Sequence, residues 1–240
     1  MRLILCENYE DLSKQAAKLV ASQVILKPDS VLGFATGSTP VGLYQNLIRY
    51  YEQGELDFSK IVSFNLDEYY PISPENNQSY RYFMNENLFD HINLPRANSF
   101  LLSGEADDVD RECQAYEQKI AAYGGIDLQI LGIGQNGHIA FNEPEEHLVA
   151  KTHVTGLTES TIQANARFFH SAAEVPTKAL TMGMATILKS RKIILLANGK
   201  AKHKAVTELL GNTISTQNPS TLLHLHPDVV VLCDKEAYEG

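Results

Sequence analysis

What this 240-residue sequence holds little of narrows its role before any motif is considered. Cysteine occurs three times, at Cys6, Cys113 and Cys233, far apart and odd in number. With no C-x-x-C pair, neither a disulfide framework nor a thiolate metal site is expected. A reducing cytoplasm is the setting this implies. No run approaches the roughly 18 apolar residues of a membrane span. The opening MRLILCENYEDLSK turns acidic too soon for a secretory signal. Basic residues are short, 20 against 29 acidic ones, and the formal net charge is -9. General nucleic-acid binding, which requires a basic face, is disfavoured. An anionic ligand must be held by a local cluster of donors against the overall field. No Walker loop is present, and the lack of a G-x-S-x-G nucleophile motif disfavours covalent acyl chemistry. With no repeat, low-complexity tract or linker, residues 1–240 are expected to form a single domain.

What is present is an alternation. Short apolar runs rich in β-formers, Val31–Ala35, Ile61–Leu66, Leu128–Leu131, Ile193–Ala197 and Val229–Leu232, are separated by helical patterns. These lie at about 8–25, 40–52, 78–89, 108–123, 176–189 and 201–210. The spacing predicts an α/β fold, a Rossmann-like three-layer sandwich with a mostly parallel central sheet and helices on both faces. Such sheets bind ligands beyond the carboxyl ends of their strands. The polar, irregular stretch 145–176 suits a lid as well as a plain surface excursion, and Pro176 is expected to open a helix.

Four segments that follow strands carry chemistry. In VLGFATGSTPVGLY, Thr36-Gly37-Ser38-Thr39 leads into Pro40, with Thr39 the expected N-cap. Free N–H groups and hydroxyls at such a turn suit an anion. An ordinary capped turn is the bland alternative. In IVSFNLDEYYP, Asp67 and Glu68 close an apolar strand. Either carboxylate can act as a general base, and their opposed directions exclude a shared proton. In DLQILGIGQNGHIAFNEP the glycines match G-x-G-x-x-G, but a turn follows them where a dinucleotide site needs a helix. The glycines therefore serve close backbone approach to a ligand. Asn136, His138 and Glu143 follow within eight residues, and an imidazole oriented by a carboxylate moves protons near neutral pH. Arg167, in ANARFF, and one of Lys200, Lys202 and Lys204 are candidate phosphate ligands. Residue chemistry alone leaves the three lysines open. His224 and His226 could share one strand face as metal ligands, but no third ligand accompanies them, so no metal is expected.

In this order the motifs resemble the glucosamine-6-phosphate deaminase family, the glucosamine-6-phosphate isomerases. The likeness covers nearly the whole chain, and FNLDEY and GHIAFNEP are its most specific segments. The related 6-phosphogluconolactonases have a similar fold and a comparable glycine loop with a histidine. The resemblance implies that Asp67 moves the proton between C2 and C1 of the sugar. It implies that His138 opens the pyranose ring with support from Glu143 and Asn136. Thr36, Gly37, Ser38, Thr39, Arg167 and Lys202 correspond to the phosphate-binding positions. The implied reaction turns glucosamine 6-phosphate and water into fructose 6-phosphate and ammonia, without a cofactor or metal. A lactonase acting on a phosphogluconate lactone is the alternative; it needs no base at C2. Two departures matter. Many relatives carry aspartate where this chain has Asn136. Members activated by N-acetylglucosamine 6-phosphate carry small hydroxyl residues and an Arg-x-Lys after the NEP turn, where this chain has Glu145, Glu146 and His147, then His153-Val154-Thr155. A non-allosteric enzyme, monomeric and cytoplasmic, is the expectation.

Overall fold

A computed structural model describes residues 1–158, 162 and 175–240. In chain order the elements are β1 (Arg2–Cys6), α1 (Tyr9–Leu26), β2 (Val31–Phe34), α2 (Val41–Glu52), β3 (Val62–Asn65), β4 (Asp67–Tyr70), α3 (Tyr80–Asn87) and β5 (Ser99–Phe100). There follow α4 (Val109–Ala122), β6 (Leu128–Gly132), β7 (His153–Gly156), β8 (Lys178–Thr181), α5 (Met184–Ile187), β9 (Lys192–Ala197), α6 (His203–Leu209), β10 (Val229–Asp234) and α7 (Lys235–Glu239). Seven strands form one sheet in the order β1-β10-β9-β6-β2-β3-β5. Every neighbouring pair in it is parallel. Helices surround this sheet, giving the α/β architecture that the alternation predicts.

The central strands read as unbroken apolar runs because both their faces are covered. VLGF in β2 and VVVLCD in β10 are buried at every position. The helices start where short polar side chains take up their free N–H groups. Asn8, Ser79, Asp108 and Asp234 do this for α1, α3, α4 and α7. Along α1, Leu12, Ala16, Val20 and Val24 recur at helical spacing and are all buried. Each full-sized apolar side chain buried this way contributes about 1.5–3 kcal/mol. The three cysteines are free and buried, and burial pushes each thiol up to about 11.

One expectation is corrected. The segment 176–189 is not one helix opened by Pro176. Lys178–Thr181 form β8, and only Met184–Ile187 are helical. Ala179, Leu180 and Thr181 are all buried, so the strand shows no alternation and its apolar residues imitate a helical stripe. This strand is the middle of a second sheet, β4-β8-β7, antiparallel throughout. Glu117 of α4 accepts hydrogen bonds from Thr152 and Thr186, tying this small sheet to the main body. The stretch 145–176, left open as a lid or a surface excursion, contains a strand, β7, paired with β8. Its residues 159–161 and 163–174 lie outside the described residues. Strand β1 escapes sequence reading because it is an edge strand on which Leu3 and Leu5 stay exposed. Among the described residues no helix is long and apolar enough to cross a membrane.

Candidate active site

The chain enters the sheet at one edge with β1, crosses to β2, and builds outward through β3 and β5. It then returns to lay β6 on the other side of β2 and builds back through β9 and β10. At β2 and β6 the connections therefore leave in opposite directions, which opens a crevice at the carboxyl ends of these strands. Among the described residues, the segments of Thr36–Thr39, Asp67–Glu68, Asn136–Glu143 and the lysine run at 200–204 all begin there. They follow β2, β3, β6 and β9, which are consecutive neighbours in the order β9-β6-β2-β3.

After β2, Gly37 takes a positive φ of 99°, a conformation that costs a residue with a Cβ. The turn leaves Gly37 and Ser38 exposed and Thr36 and Thr39 half-buried. Thr39 does not cap α2 as expected, because its hydroxyl donates to Asn198 Oδ1 at 2.6 Å, joining the β2 and β9 loops. Pro40 precedes the helix with no side-chain cap. The Tyr9 hydroxyl takes over instead: it accepts from the Gly42 N–H at 2.8 Å and lies 3.0 and 3.1 Å from the Ser38 and Thr39 carbonyls. Tyr9 is remote in sequence and carried no signal. Asn198 directly follows β9, and its place at the carboxyl end of a strand is a signal the sequence does carry.

The two acids after β3 have different surroundings. Glu68 is 2% exposed and accepts three backbone N–H bonds, from Tyr69 at 2.9 Å, Tyr80 at 2.8 Å and Arg81 at 2.9 Å. Two of these are first-turn groups of α3, so Glu68 anchors that helix. Burial pushes its carboxyl up to about 7 even though the three donors favour the anion. Asp67 is 6% exposed, and none of the described residues donates a hydrogen bond to its carboxylate. Burial, and then the neighbouring Glu68 charge, raise its carboxyl well above the usual range. Glu68→Ala is expected to cost on the order of 2 kcal/mol and to lower the melting midpoint by roughly 4–8 °C. Glu68→Gln should fall between. An unchanged midpoint for the alanine variant would show that the three donors find other acceptors.

The loop after β6 is compact. The Gly134 N–H donates to the His138 carbonyl at 2.9 Å, and the Gly137 N–H donates to the Gly134 carbonyl at 3.1 Å. The imidazole lies directly over Gly134, where an added Cβ would stand 2.4 Å from His138 Nδ1. That Nδ1 is 3.2 Å from Glu143 Oε1 but off the line of a hydrogen bond; such contacts commonly tighten when substrate binds. Asn136 bridges the loop, its Nδ2 donating to Glu143 Oε2 at 2.7 Å and its Oδ1 accepting from the His138 backbone N–H at 3.2 Å. Glu143 is 5% exposed, whereas the His138 side chain keeps 27%. Strand β8 links this loop to Asp67. Thr181 pairs in register with Asp67 and accepts from the Phe141 N–H at 3.1 Å, while Asn142 donates to the Met182 carbonyl at 2.8 Å. Gly134→Ala is expected to displace the imidazole and lower turnover by between about 10- and 100-fold, with KM nearly unchanged. Full activity would mean that the ring position is not critical.

Lys202 ends a short 3-10 turn after β9 that opens on Gly199, whose N–H is held by Asp234 at 3.0 Å. Lys202 is half-buried, while Lys200 and Lys204 are exposed. Lys204 lines a polar cleft of about 410 Å³, together with Gln135, Asn136, Glu208 and Asn218, that neither Asp67 nor His138 borders. Arg167 lies outside the described residues. His224 and His226 do not share a strand face. The stretch Pro219–Leu225 is a 3-10 helix, and the two rings meet separate carbonyls, Leu209 at 2.7 Å and Ser190 at 2.6 Å.

Comparison with known proteins adds four findings. The family model described as glucosamine-6-phosphate isomerases/6-phosphogluconolactonase matches residues 7–231. A glucosamine-6-phosphate deaminase of Halothermothrix orenii is 59% identical over 237 residues, 99% of this chain and 98% of that protein. A solved structure described as a monomeric glucosamine-6-phosphate deaminase superposes with a TM-score of 0.97 at 48% identity, covering 99% of this chain and 98% of its own. The 6-phosphogluconolactonase of Trypanosoma brucei, with a TM-score of 0.77 at 20% identity over 99% and 97% of the two chains, shares the fold alone.

Proposed function

This chain belongs to the glucosamine-6-phosphate isomerase/6-phosphogluconolactonase family, and from that premise we propose that it is a glucosamine-6-phosphate deaminase. It converts glucosamine 6-phosphate and water to fructose 6-phosphate and ammonia. The observation that carries this reading is Asp67, a buried carboxylate with no donor among the described residues, beside the crevice that holds His138 and Glu143. A lactonase needs no base at C2, and Glu68 is already engaged by α3.

The turn Thr36–Thr39, Lys202 and Arg167 hold the substrate phosphate. His138 takes the proton of the C1 hydroxyl and returns one to the ring oxygen, and Glu143 favours the imidazolium that forms in between. Asn136 adds no charge, but it fixes the orientation of Glu143 and supports the His138 backbone. Asp67 then removes the C2 proton and delivers it to C1 through an enol-amine, leaving an imine at C2. Water hydrolyses the imine and releases ammonia. A single carboxylate on one face suffices for this transfer, and no hydride moves.

We also propose that the enzyme, a monomer like the solved deaminase on which it superposes, works without allosteric activation. The acidic pair Glu145 and Glu146, following the NEP turn, repels a second sugar phosphate. A coupled assay for ammonia and fructose 6-phosphate, with and without N-acetylglucosamine 6-phosphate, tests both parts. Hyperbolic kinetics in either condition are expected. No ammonia from glucosamine 6-phosphate would sink the deaminase reading. Sigmoidal kinetics abolished by the acetylated sugar would sink the second part.

A further inference from the structure

The loop that carries His138 and Glu143 is gripped from outside by a turn the reaction does not use. Asn218 in that turn is 3% exposed. Its Nδ2 donates to Glu208 Oε2 at 2.9 Å and to the Ala205 carbonyl at 3.3 Å, and its Oδ1 accepts from the Ser220 hydroxyl at 2.5 Å. These bonds fix which way the amide faces, since a flip would set its oxygen against two acceptors. The oxygen edge then fills the space beside Gly137, where a Cβ would stand 2.0 Å from Oδ1. The Ser220 N–H donates to the Gly137 carbonyl at 2.9 Å. Gly137, at a φ of 83°, is the bend immediately before His138. At the far end, just beyond Glu143, Gln217 Nε2 donates to the Glu145 carbonyl at 3.0 Å.

We propose that the turn 217–220 is a positioning clamp for the His138 loop, with Asn218 as its central positioning residue. The inference rests on the roles assigned to His138 and Glu143 above. Residues 217 to 220 hold both ends of the loop, so the imidazole and carboxylate keep their spacing while the ring-opening protons move. Through Glu208 and Ala205 the clamp is fastened to α6, the helix that begins directly after Lys202. The groups that hold the phosphate and those that open the ring thus share one support.

The test is Asn218→Asp, which keeps the shape, removes the donor and brings a second carboxylate against Glu208. The expected result is a fall in kcat of about tenfold or more with KM within about twofold, and displaced ring nitrogen resonances of His138. Adding Glu208→Gln restores a donor between positions 208 and 218 with the roles exchanged, and should recover most of the lost kcat. Turnover of Asn218→Asp within about twofold of the parent overturns the clamp. So does a loss that Glu208→Gln cannot recover while the His138 resonances stay in place. Should Asn218→Asp not fold, Glu208→Ala at an exposed position is expected to lower kcat and shift the same resonances. No change in either would overturn the proposal. If the unaltered enzyme released no ammonia from glucosamine 6-phosphate, the functional reading would fall instead, and the resonances of the variants would still decide whether the turn positions His138.

Discussion

Replacing Asp67 with asparagine is expected to lower deamination by about 10²–10⁴-fold, the usual cost of losing a proton-transfer group. Binding of the sugar phosphate should be retained, because the turn at 36–39 and Lys202 are untouched. An amide of the same shape cannot accept the C2 proton, and Glu68 cannot stand in while three backbone donors hold it. The pH dependence follows from the same site. Burial and the Glu68 charge raise the Asp67 carboxyl, and a base must be ionised to act. The acid limb of kcat should therefore lie above the ordinary carboxylate range. The effect on stability has the opposite sign to that on activity. Where the folded-state value is raised, the favourable contribution is present below the unfolded-state value and lost as pH rises through the folded one. Asp67→Asn removes that loss, so at pH values where Asp67 is ionised the variant should melt no lower than the parent. Near-normal turnover would remove Asp67 from the mechanism. A clear drop in melting midpoint would show that its charge is better solvated than its surroundings indicate.

His138→Gln should also cost about 10²–10⁴-fold with glucosamine 6-phosphate, but its signature differs. In the proposed mechanism His138 acts on the closed sugar and Asp67 on the open chain. Fructose 6-phosphate already supplies some open chain, so in the presence of ammonia the His138 variant should still exchange a C1 hydrogen with deuterated water. The Asp67 variant should not. Loss of exchange in both would place the two residues in one step. The geometry motivates the split. Asp67 sits on the small antiparallel sheet, whereas His138 is in a loop leaving the large parallel one, 3.2 Å from Glu143.

Much of this arrangement was legible in the sequence because the central strands are covered on both faces. Fully covered strands show as unbroken apolar runs, and the five expected from such runs are all present as β2, β3, β6, β9 and β10. The alternation with helices predicted a parallel sheet, and that directed attention to the residues after each strand. Strands outside the interior of the central seven-stranded sheet were not legible. Leu3 and Leu5 of β1 are exposed at the sheet edge, and β8 is buried without alternation inside a sheet of its own. Asp67 was expected as a strand-end acid; the structure begins β4 with it.

Residue types and their positions after strands came from the sequence alone, since an acid, an imidazole and a glycine bend declare their chemistry wherever they lie. Which partner each one meets was decided by tertiary structure. Glu68 is committed to α3 by residues twelve and thirteen positions away. Thr39 turns from its own helix to Asn198 across the crevice. The Tyr9 hydroxyl serves a turn about thirty residues distant, and Asn218 shapes the bend at Gly137. Hydrogen bonds and van der Waals contacts act over a few ångströms, and only the order of strands in the sheet brings such distant segments within that range.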